Sequence, residues 1–143
     1  MSGLTRAKAD LAAGDVRAAR ERLKSLVVTY PHDLEVRRLL AEAYRRDGQP
    51  TEAGRWGYLV GPDATESERR AFEHHNGFAS CARVTESRLR QLLRSDDLAR
   101  IADTEGRALL RSLPRRRPLD RRDGPFELVA RRVATWRAAS TWR

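Results

Sequence analysis

Two segments of this chain, AKADLAAGDVRAA at residues 7–19 and AEAYRRDGQPTEA at residues 41–53, repeat one pattern of small residues. Three pairs of these residues stand 34 positions apart: Ala7 and Ala41, Gly14 and Gly48, and Ala19 and Ala53. A fixed period of this length is typical of helical repeats, in which neighbouring units bury one another's apolar faces. The pattern therefore predicts an all-α scaffold that binds a partner, and it leaves the identity of that partner open.

Glycine, proline and capping residues divide the chain into helices around these segments. The first four helices are predicted over residues 4–13, 16–30, 34–46 and 50–60. Thr65 and Glu68 then form a capping-box pattern, which opens a fifth helix that ends at Asn76 and Gly77. A sixth helix is predicted over 85–94, and the polar residues 95–97 cap a seventh that begins at Leu98.

The third and fourth helices carry two further expectations. The arginines of the third helix are assigned to its solvent side: Arg37, Arg38, Arg45 and Arg46. Gly54 and Gly57 weaken the fourth helix by about 1 kcal/mol each relative to alanine. We therefore expect these two glycines to allow a close approach of another helix.

The carboxyl-terminal part of the chain has a different composition. Residues 114–125 contain prolines, a glycine and a run of arginines, so they are predicted to be a linker after a helical domain over residues 1–113. In residues 126–143, Phe126, Val129, Val133 and Trp136 fall on one helical face. This spacing predicts a short basic amphipathic helix, which is marginal by itself.

The charge of the protein is concentrated in that part. The chain has 143 residues, a length that fits one domain, and its formal net charge is +9. Residues 1–64 hold eleven bases and nine acids, residues 65–110 hold eight of each, and residues 111–143 hold ten arginines and three acids. All bases except Lys8 and Lys24 are arginine, and a GC-rich genome is one explanation for that imbalance. The repeat region is therefore nearly neutral.

The repeat pattern resembles the tetratricopeptide repeat family. Matching positions in the first repeat are Ala7, Gly14, Ala19, Leu23, Leu26 and Pro31, and in the second they are Leu40, Ala41, Tyr44, Gly48, Ala53 and Val60. Asp10 and Gly57 depart from the family pattern, and a third register fails because Ala82 would occupy the turn. The resemblance implies about two helical hairpins, with the later helices acting as degenerate repeats or as a cap.

A second resemblance involves residues 51–58, Ala64, Thr65, Glu68 and Arg69. These residues are similar to a family of short, uncharacterised actinobacterial proteins built on such repeats. That resemblance implies no activity.

The tetratricopeptide resemblance also implies a binding surface. Proteins of that family usually bind an extended peptide in the groove lined by the first helix of each repeat. The corresponding positions are Leu4, Lys8 and Leu11 in the first repeat and Glu35, Arg38, Glu42, Arg45 and Arg46 in the second. The family's carboxylate clamp has an asparagine where this chain has Glu42, so a clamp for a peptide carboxyl terminus is not expected. The alternative is a solvated face with local ion pairs.

Other candidate residues give weaker signals. Trp56 is interpreted either as an interface anchor or as buried core with its N–H satisfied. His74, His75 and Cys81 lack the ligand number and spacing of a zinc site and the third group of a nucleophilic site. We therefore predict no enzyme, no metal and no cofactor.

The arginines of the tail provide the competing hypothesis, which is binding to nucleic acid or another anion. The residues concerned are Arg115, Arg116, Arg117, Arg121 and Arg122. The alternative, which the proline content favours, is a solvated, codon-biased tail. The single cysteine excludes an internal disulfide, and no apolar run reaches the length of a membrane helix. The expected protein is thus a cytoplasmic, non-catalytic adaptor whose protein or peptide partner is unknown.

Overall fold

The computed structural model describes residues 2–78 and 84–113. In those residues the chain is all-helical, as predicted, with seven α-helices and no strand. The helices are α1 (Gly3–Ala12), α2 (Val16–Thr29), α3 (Leu34–Arg46), α4 (Pro50–Trp56), α5 (Glu66–His75), α6 (Glu86–Leu93) and α7 (Thr104–Ser112). Single turns of 3-10 helix at Gly61–Asp63 and Leu98–Ile101 precede α5 and α7.

Two helix boundaries differ from the sequence prediction. Helix α4 ends at Trp56 instead of residue 60, so Gly57 caps the helix and does not lie within it. The predicted seventh helix is split, because Asp97 and Asp103 each cap a separate turn. The Asp97 side chain accepts from the Ala99 N–H at 3.0 Å, and the Asp103 side chain accepts from the Gly106 N–H at 2.8 Å. The first cap starts the 3-10 turn and the second starts α7.

Helices α1 and α3 each end in a turn of the same type, and the glycines of the two turns are 34 positions apart. Gly14 and Gly48 have φ values of 80° and 69°, a left-handed conformation that costs glycine nothing. Beyond them, the N–H of Asp15 donates to the Asp10 carbonyl and the N–H of Gln49 donates to the Tyr44 carbonyl, both at 2.9 Å. The repeated glycine therefore ends the first helix of each hairpin and turns the chain into the second.

Successive helices in this region pack antiparallel, which places α1 and α3 side by side and parallel. Asp10 of α1 binds Arg22 of α2 at 2.8 Å, and Arg20 of α2 forms an ion pair with Asp47 after α3. The repeated alanines lie between these helices and are fully buried: Ala7, Ala19, Ala41 and Ala53. A small side chain at each crossing allows the helices to approach closely.

The buried apolar side chains of residues 2–78 and 84–113 form two clusters. The first core comes from α1 to α4 and includes Leu23, Leu40 and Trp56. The second core comes from the chain after α4 and includes Phe72, Leu89 and Leu93. Polar contacts between α3, α4 and α6 join the two clusters, and they are described below.

Gly54 and Gly106 allow backbone segments to touch, and so does Gly57, where a Cβ atom would lie 2.4 Å from the Asp63 carbonyl oxygen of the 3-10 turn. A Cβ atom on Gly54 would lie 2.1 Å from the Glu68 carbonyl oxygen, which confirms that Gly54 lets α5 approach α4. A Cβ atom on Gly106 would lie 2.0 Å from the Leu59 carbonyl oxygen. The contact at Gly106 presses α7 against the segment that follows α4.

Candidate protein-interaction face

The predicted groove residues of α1 and α3 lie on adjacent parallel helices. We use the name α1–α3 face for the surface formed by Lys8, Leu11, Glu35, Arg38, Glu42, Arg45 and Arg46. Lys8 Nζ lies 2.6 Å from Glu35 Oε1, and Arg46 Nη1 donates to the Leu11 carbonyl at 3.0 Å. These contacts join the two helices at both ends of the surface.

Three exposed charged residues occupy the amino-terminal end of the α1–α3 face. Their side chains are 49% exposed at Lys8, 42% at Glu35 and 57% at Arg38. Arg38 Nη2 lies 3.9 Å from the same Glu35 oxygen that binds Lys8. Exposed ion pairs contribute only about 0–1 kcal/mol to stability, so this group is weakly held and accessible.

Glu42 organises the carboxyl-terminal end of the face. Its two carboxylate oxygens bind Arg46 Nε at 2.7 Å and Arg45 Nη1 at 2.6 Å. These hydrogen bonds lower the pKa of Glu42 below its ordinary value, and the one from Arg46 has the largest effect. Burial of the carboxylate acts in the opposite direction. Glu42 therefore stays ionised and fixes the positions of both arginines.

Arg45 is used internally to attach α5. Its Nε and Nη2 atoms donate to the two carboxylate oxygens of Glu68 at 2.6 and 3.0 Å, and the Glu68 side chain is 7% exposed. Glu68 also completes the capping box, because it accepts from the Thr65 N–H at 2.7 Å. The hydrogen bond from Arg45 is the main reason that the pKa of Glu68 is lowered. The same pairing raises the pKa of Arg45.

Leu11, like Arg45, contributes to the folded structure more than to the accessible surface. It is 6% exposed and belongs to the first core, so it supports the face from beneath. Leu4 is partly buried against the same core. The residues of the face that remain accessible to a partner are therefore mainly the charged ones: Lys8, Glu35, Arg38, Glu42 and Arg46.

The structure contains a buried arginine that the sequence prediction placed on the solvent side. Arg37 is 2% exposed, which corrects that assignment. Its Nη1 donates to the Pro31 carbonyl at 3.3 Å, and its Nη2 donates to the Leu93 carbonyl at the end of α6. Burial lowers the pKa of Arg37 to about 10. A signal was present in the sequence, because Arg37 lies three positions before Leu40 and four before Ala41, on the apolar stripe of α3.

Trp56 belongs to the first core and lies between two arginines. The guanidinium carbons of Arg37 and Arg55 are 5.1 and 5.4 Å from its ring centroid. Arg55 Nε donates to the Leu92 carbonyl at 2.6 Å, so both arginines bind the carboxyl end of α6. Trp56 is 6% exposed, which supports the core interpretation, although its Nε1 has no hydrogen-bond acceptor among the described residues.

The remaining candidates give no site in the described residues. His74 and His75 are exposed, and Cys81 lies outside the described residues, as does the whole of 114–143 with the five arginines of the anion-binding hypothesis. No group of His, Cys, Asp and Glu in residues 2–78 and 84–113 could hold a metal ion. Every helix in that part of the chain is too short or too polar to cross a membrane.

Comparison with known proteins assigns a family without assigning an activity. No curated protein and no solved structure matches the chain. A family model described as "Family of unknown function (DUF6584)" matches residues 2–114, which include all the described residues and the α1–α3 face. The chain therefore belongs to the Family of unknown function (DUF6584).

Proposed function

We propose that this protein is a non-catalytic, cytoplasmic interaction scaffold with two tetratricopeptide-like hairpins, α1–α2 and α3–α4. The hairpins bind a peptide or a helix of a protein partner on the α1–α3 face. Helices α5 to α7 cap the carboxyl-terminal side of the second hairpin. The proposal is supported by the buried alanines and the glycine turns that recur 34 positions apart.

The accessible group formed by Lys8, Glu35 and Arg38 is the observation that carries the proposal. It lies across two parallel first helices, and no ion pair within it is deeply buried. A partner can exchange these weak contacts for its own without leaving a buried charge unpaired. The carboxylate of Glu35 and the guanidinium of Arg38 provide an acceptor and a donor next to each other, which suits the mixed polar groups of a peptide.

The experiment is affinity capture of cellular proteins with the full chain. We expect the variant Lys8→Ala/Arg38→Ala to lose the partner that the wild-type protein recovers. Arg45 is a poor choice for this test, because its removal would leave the carboxylate of Glu68 buried and unpaired. Circular dichroism melting shows whether the double variant is still folded.

The matched control is Arg17→Ala/Lys24→Ala, which removes the same charge from exposed positions on α2. The control should recover the same partner as the wild-type protein. If both double variants recover it equally well, the α1–α3 face is not the binding surface.

Residues 111–143 support a second candidate function, which is binding to nucleic acid or another polyanion. They contain ten arginines and three acids. Counterion release then predicts an affinity for a short DNA or RNA duplex that falls steeply as salt rises. Replacing Arg115, Arg116, Arg117, Arg121 and Arg122 by glutamine in the full chain should reduce that salt slope by about half, because it removes five of the ten arginines. Equal affinity and an equal salt slope in the variant would eliminate this candidate.

A further inference from the structure

A cleft of about 750 Å³ lies between the start of α6, the 3-10 turn Leu98–Ile101 and α7, and none of its lining residues belongs to the α1–α3 face. Leu98, Leu110 and Leu113 form its apolar wall. Leu98 and Leu113 are 3% and 6% exposed, so this wall is continuous with the second core. Clefts of this size with an apolar wall and a few polar groups are typical of small-molecule sites.

Two arginines of α7, Arg107 and Arg111, line the cleft. Arg107 and Arg111 are one helical turn apart and therefore share a face of α7. Arg107 Nε donates to the Ala99 carbonyl at 3.3 Å, which orients its guanidinium across the 3-10 turn. In residues 2–78 and 84–113, neither arginine forms an ion pair.

The other charged groups of the cleft already form hydrogen bonds with neighbouring groups of the protein. Arg90 Nη2 binds Glu86 Oε1 at 2.6 Å, so this pair contributes no net charge. The Asp97 carboxylate accepts from the Ala99 N–H at 3.0 Å as the cap of the 3-10 turn. Thr85 and Ser87 also line the cleft, and the Thr85 hydroxyl oxygen accepts from the Arg88 N–H at 3.3 Å as the cap of α6. The cleft thus offers an apolar wall and two guanidinium groups that have no ion-pair partner among the described residues. With Arg90, Glu86 and Asp97, its lining has three bases and two acids and therefore a net charge of +1.

We propose that this cleft binds a small organic anion that has an apolar body and a single phosphate, sulfonate or carboxylate group. The apolar body contacts Leu98, Leu110 and Leu113. The acidic group accepts charge-assisted hydrogen bonds from Arg107 and Arg111, the pairing that arginine forms best with these anions. This site lies outside the proposed protein-interaction face and does not depend on it.

The test is a fluorescence titration of the full chain with anilinonaphthalene sulfonate, an apolar anion whose emission rises in an apolar site. We expect saturable binding of one molecule per chain. The variant Arg107→Gln/Arg111→Gln should weaken that binding about tenfold or more, the loss expected for one charge-assisted hydrogen bond. The matched control Arg88→Gln/Arg100→Gln removes the same charge from exposed positions outside the cleft and should bind as the wild-type chain does.

Three further measurements complete the test. Dodecyl phosphate and dodecanoate should displace the probe, whereas inorganic phosphate at the same concentration should not, because the apolar wall supplies part of the affinity. Leu110→Asn, a change in the wall alone, should also weaken binding. The proposal is overturned if the two double variants bind equally, if inorganic phosphate displaces the probe as well as dodecyl phosphate does, or if glutamine at Arg115, Arg116 and Arg117 removes the binding instead.

Discussion

Gly106 has a role that depends on a neighbour 47 positions earlier in the chain. A Cβ atom there would lie 2.0 Å from the Leu59 carbonyl oxygen, which belongs to the backbone and cannot rotate away. We expect Gly106→Ala to lower the free energy of unfolding by about 2 kcal/mol or more, since overpacking a close contact costs roughly 1–3 kcal/mol. Urea denaturation followed by circular dichroism measures the change.

Gly61→Ala is the control for that measurement. The added Cβ atom would lie 3.0 Å from Glu105 Oε2, the far end of a flexible side chain, so a small effect is expected. Equal losses in the two variants would contradict the assignment of the cost at Gly106 to its contact with Leu59.

At Arg94, by contrast, a substitution is expected to raise the free energy of unfolding. It caps α6 with a φ of 49°, the only positive φ among the described residues other than glycine. The left-handed conformation costs a non-glycine residue about 1 kcal/mol, so Arg94→Gly should raise the free energy of unfolding by up to about that amount. Thermal melting of Arg94→Gly beside the exposed control Arg88→Gly checks it. Arg88 lies inside α6, so glycine there should lower the melting temperature. A lower melting temperature for Arg94→Gly as well would contradict the prediction.

At the scale of helices, local sequence was sufficient to predict most starts and ends. The capping box of Thr65 and Glu68, and the caps of α2 and α3, use side chains within three residues of the helix. The pairing of Glu68 with Arg45 joins positions 23 apart, and no local pattern indicates it. The same limit explains why Arg45 was predicted to face a partner although it attaches α5.

The attachment of α5 by Arg45 predicts a specific pH dependence. The pKa values of Glu68 and Glu42 in the folded protein lie below the ordinary value of 4.5, mainly because of hydrogen bonds from Arg45 and Arg46 respectively. A lowered pKa stabilises the fold above pH 4.5, and this contribution is lost as the pH falls through the folded pKa. Arg45→Gln should therefore lower the free energy of unfolding at pH 7 by about 2 kcal/mol and flatten its decline below pH 4.5.

Arg70→Gln is the matched control for Arg45→Gln. Arg70 pairs with Glu66 in the first turn of the same helix, but both side chains are largely exposed, at 74% and 67%. Its loss should cost no more than about 0.5 kcal/mol. Urea titrations at pH 7 and pH 3 distinguish the two variants, and identical pH profiles for Arg45→Gln and the wild-type protein would contradict the role assigned to Arg45.

Arg37 and Arg55 attach α6 to the first four helices, because both donate to carbonyl groups at its carboxyl end. Arg37→Ala removes a donor to the Leu93 carbonyl and leaves a cavity, so it should cost about 3 kcal/mol. Arg37→Met keeps most of the volume and removes a buried charge, so it should cost less than half as much. Hydrogen exchange should show that the alanine variant loses protection mainly in α6. Equal costs for the two variants would mean that the volume of Arg37 is unimportant.

At the scale of the whole molecule, the sequence pattern identified the first two hairpins because their turns and crossings repeat. It did not extend to α5, because the glycine turn recurs at Gly77, which is 29 and not 34 positions after Gly48. The second core was equally hard to foresee, since it depends on Gly106 and on arginine contacts between distant segments. The structure brings the residues of the α1–α3 face together on two neighbouring helices, and their division into accessible and structural groups depends on the three-dimensional contacts of Arg45 and Leu11.

A protein partner that binds the α1–α3 face would protect the backbone amides of the helices beneath it. Hydrogen exchange of the full chain, with and without the partner recovered by affinity capture, measures that protection. We predict that added protection appears in α1 and α3 and that Lys8→Ala/Arg38→Ala abolishes it while Arg17→Ala/Lys24→Ala does not. Protection confined to α2 and α4, or to residues 114–143, would contradict binding at the α1–α3 face.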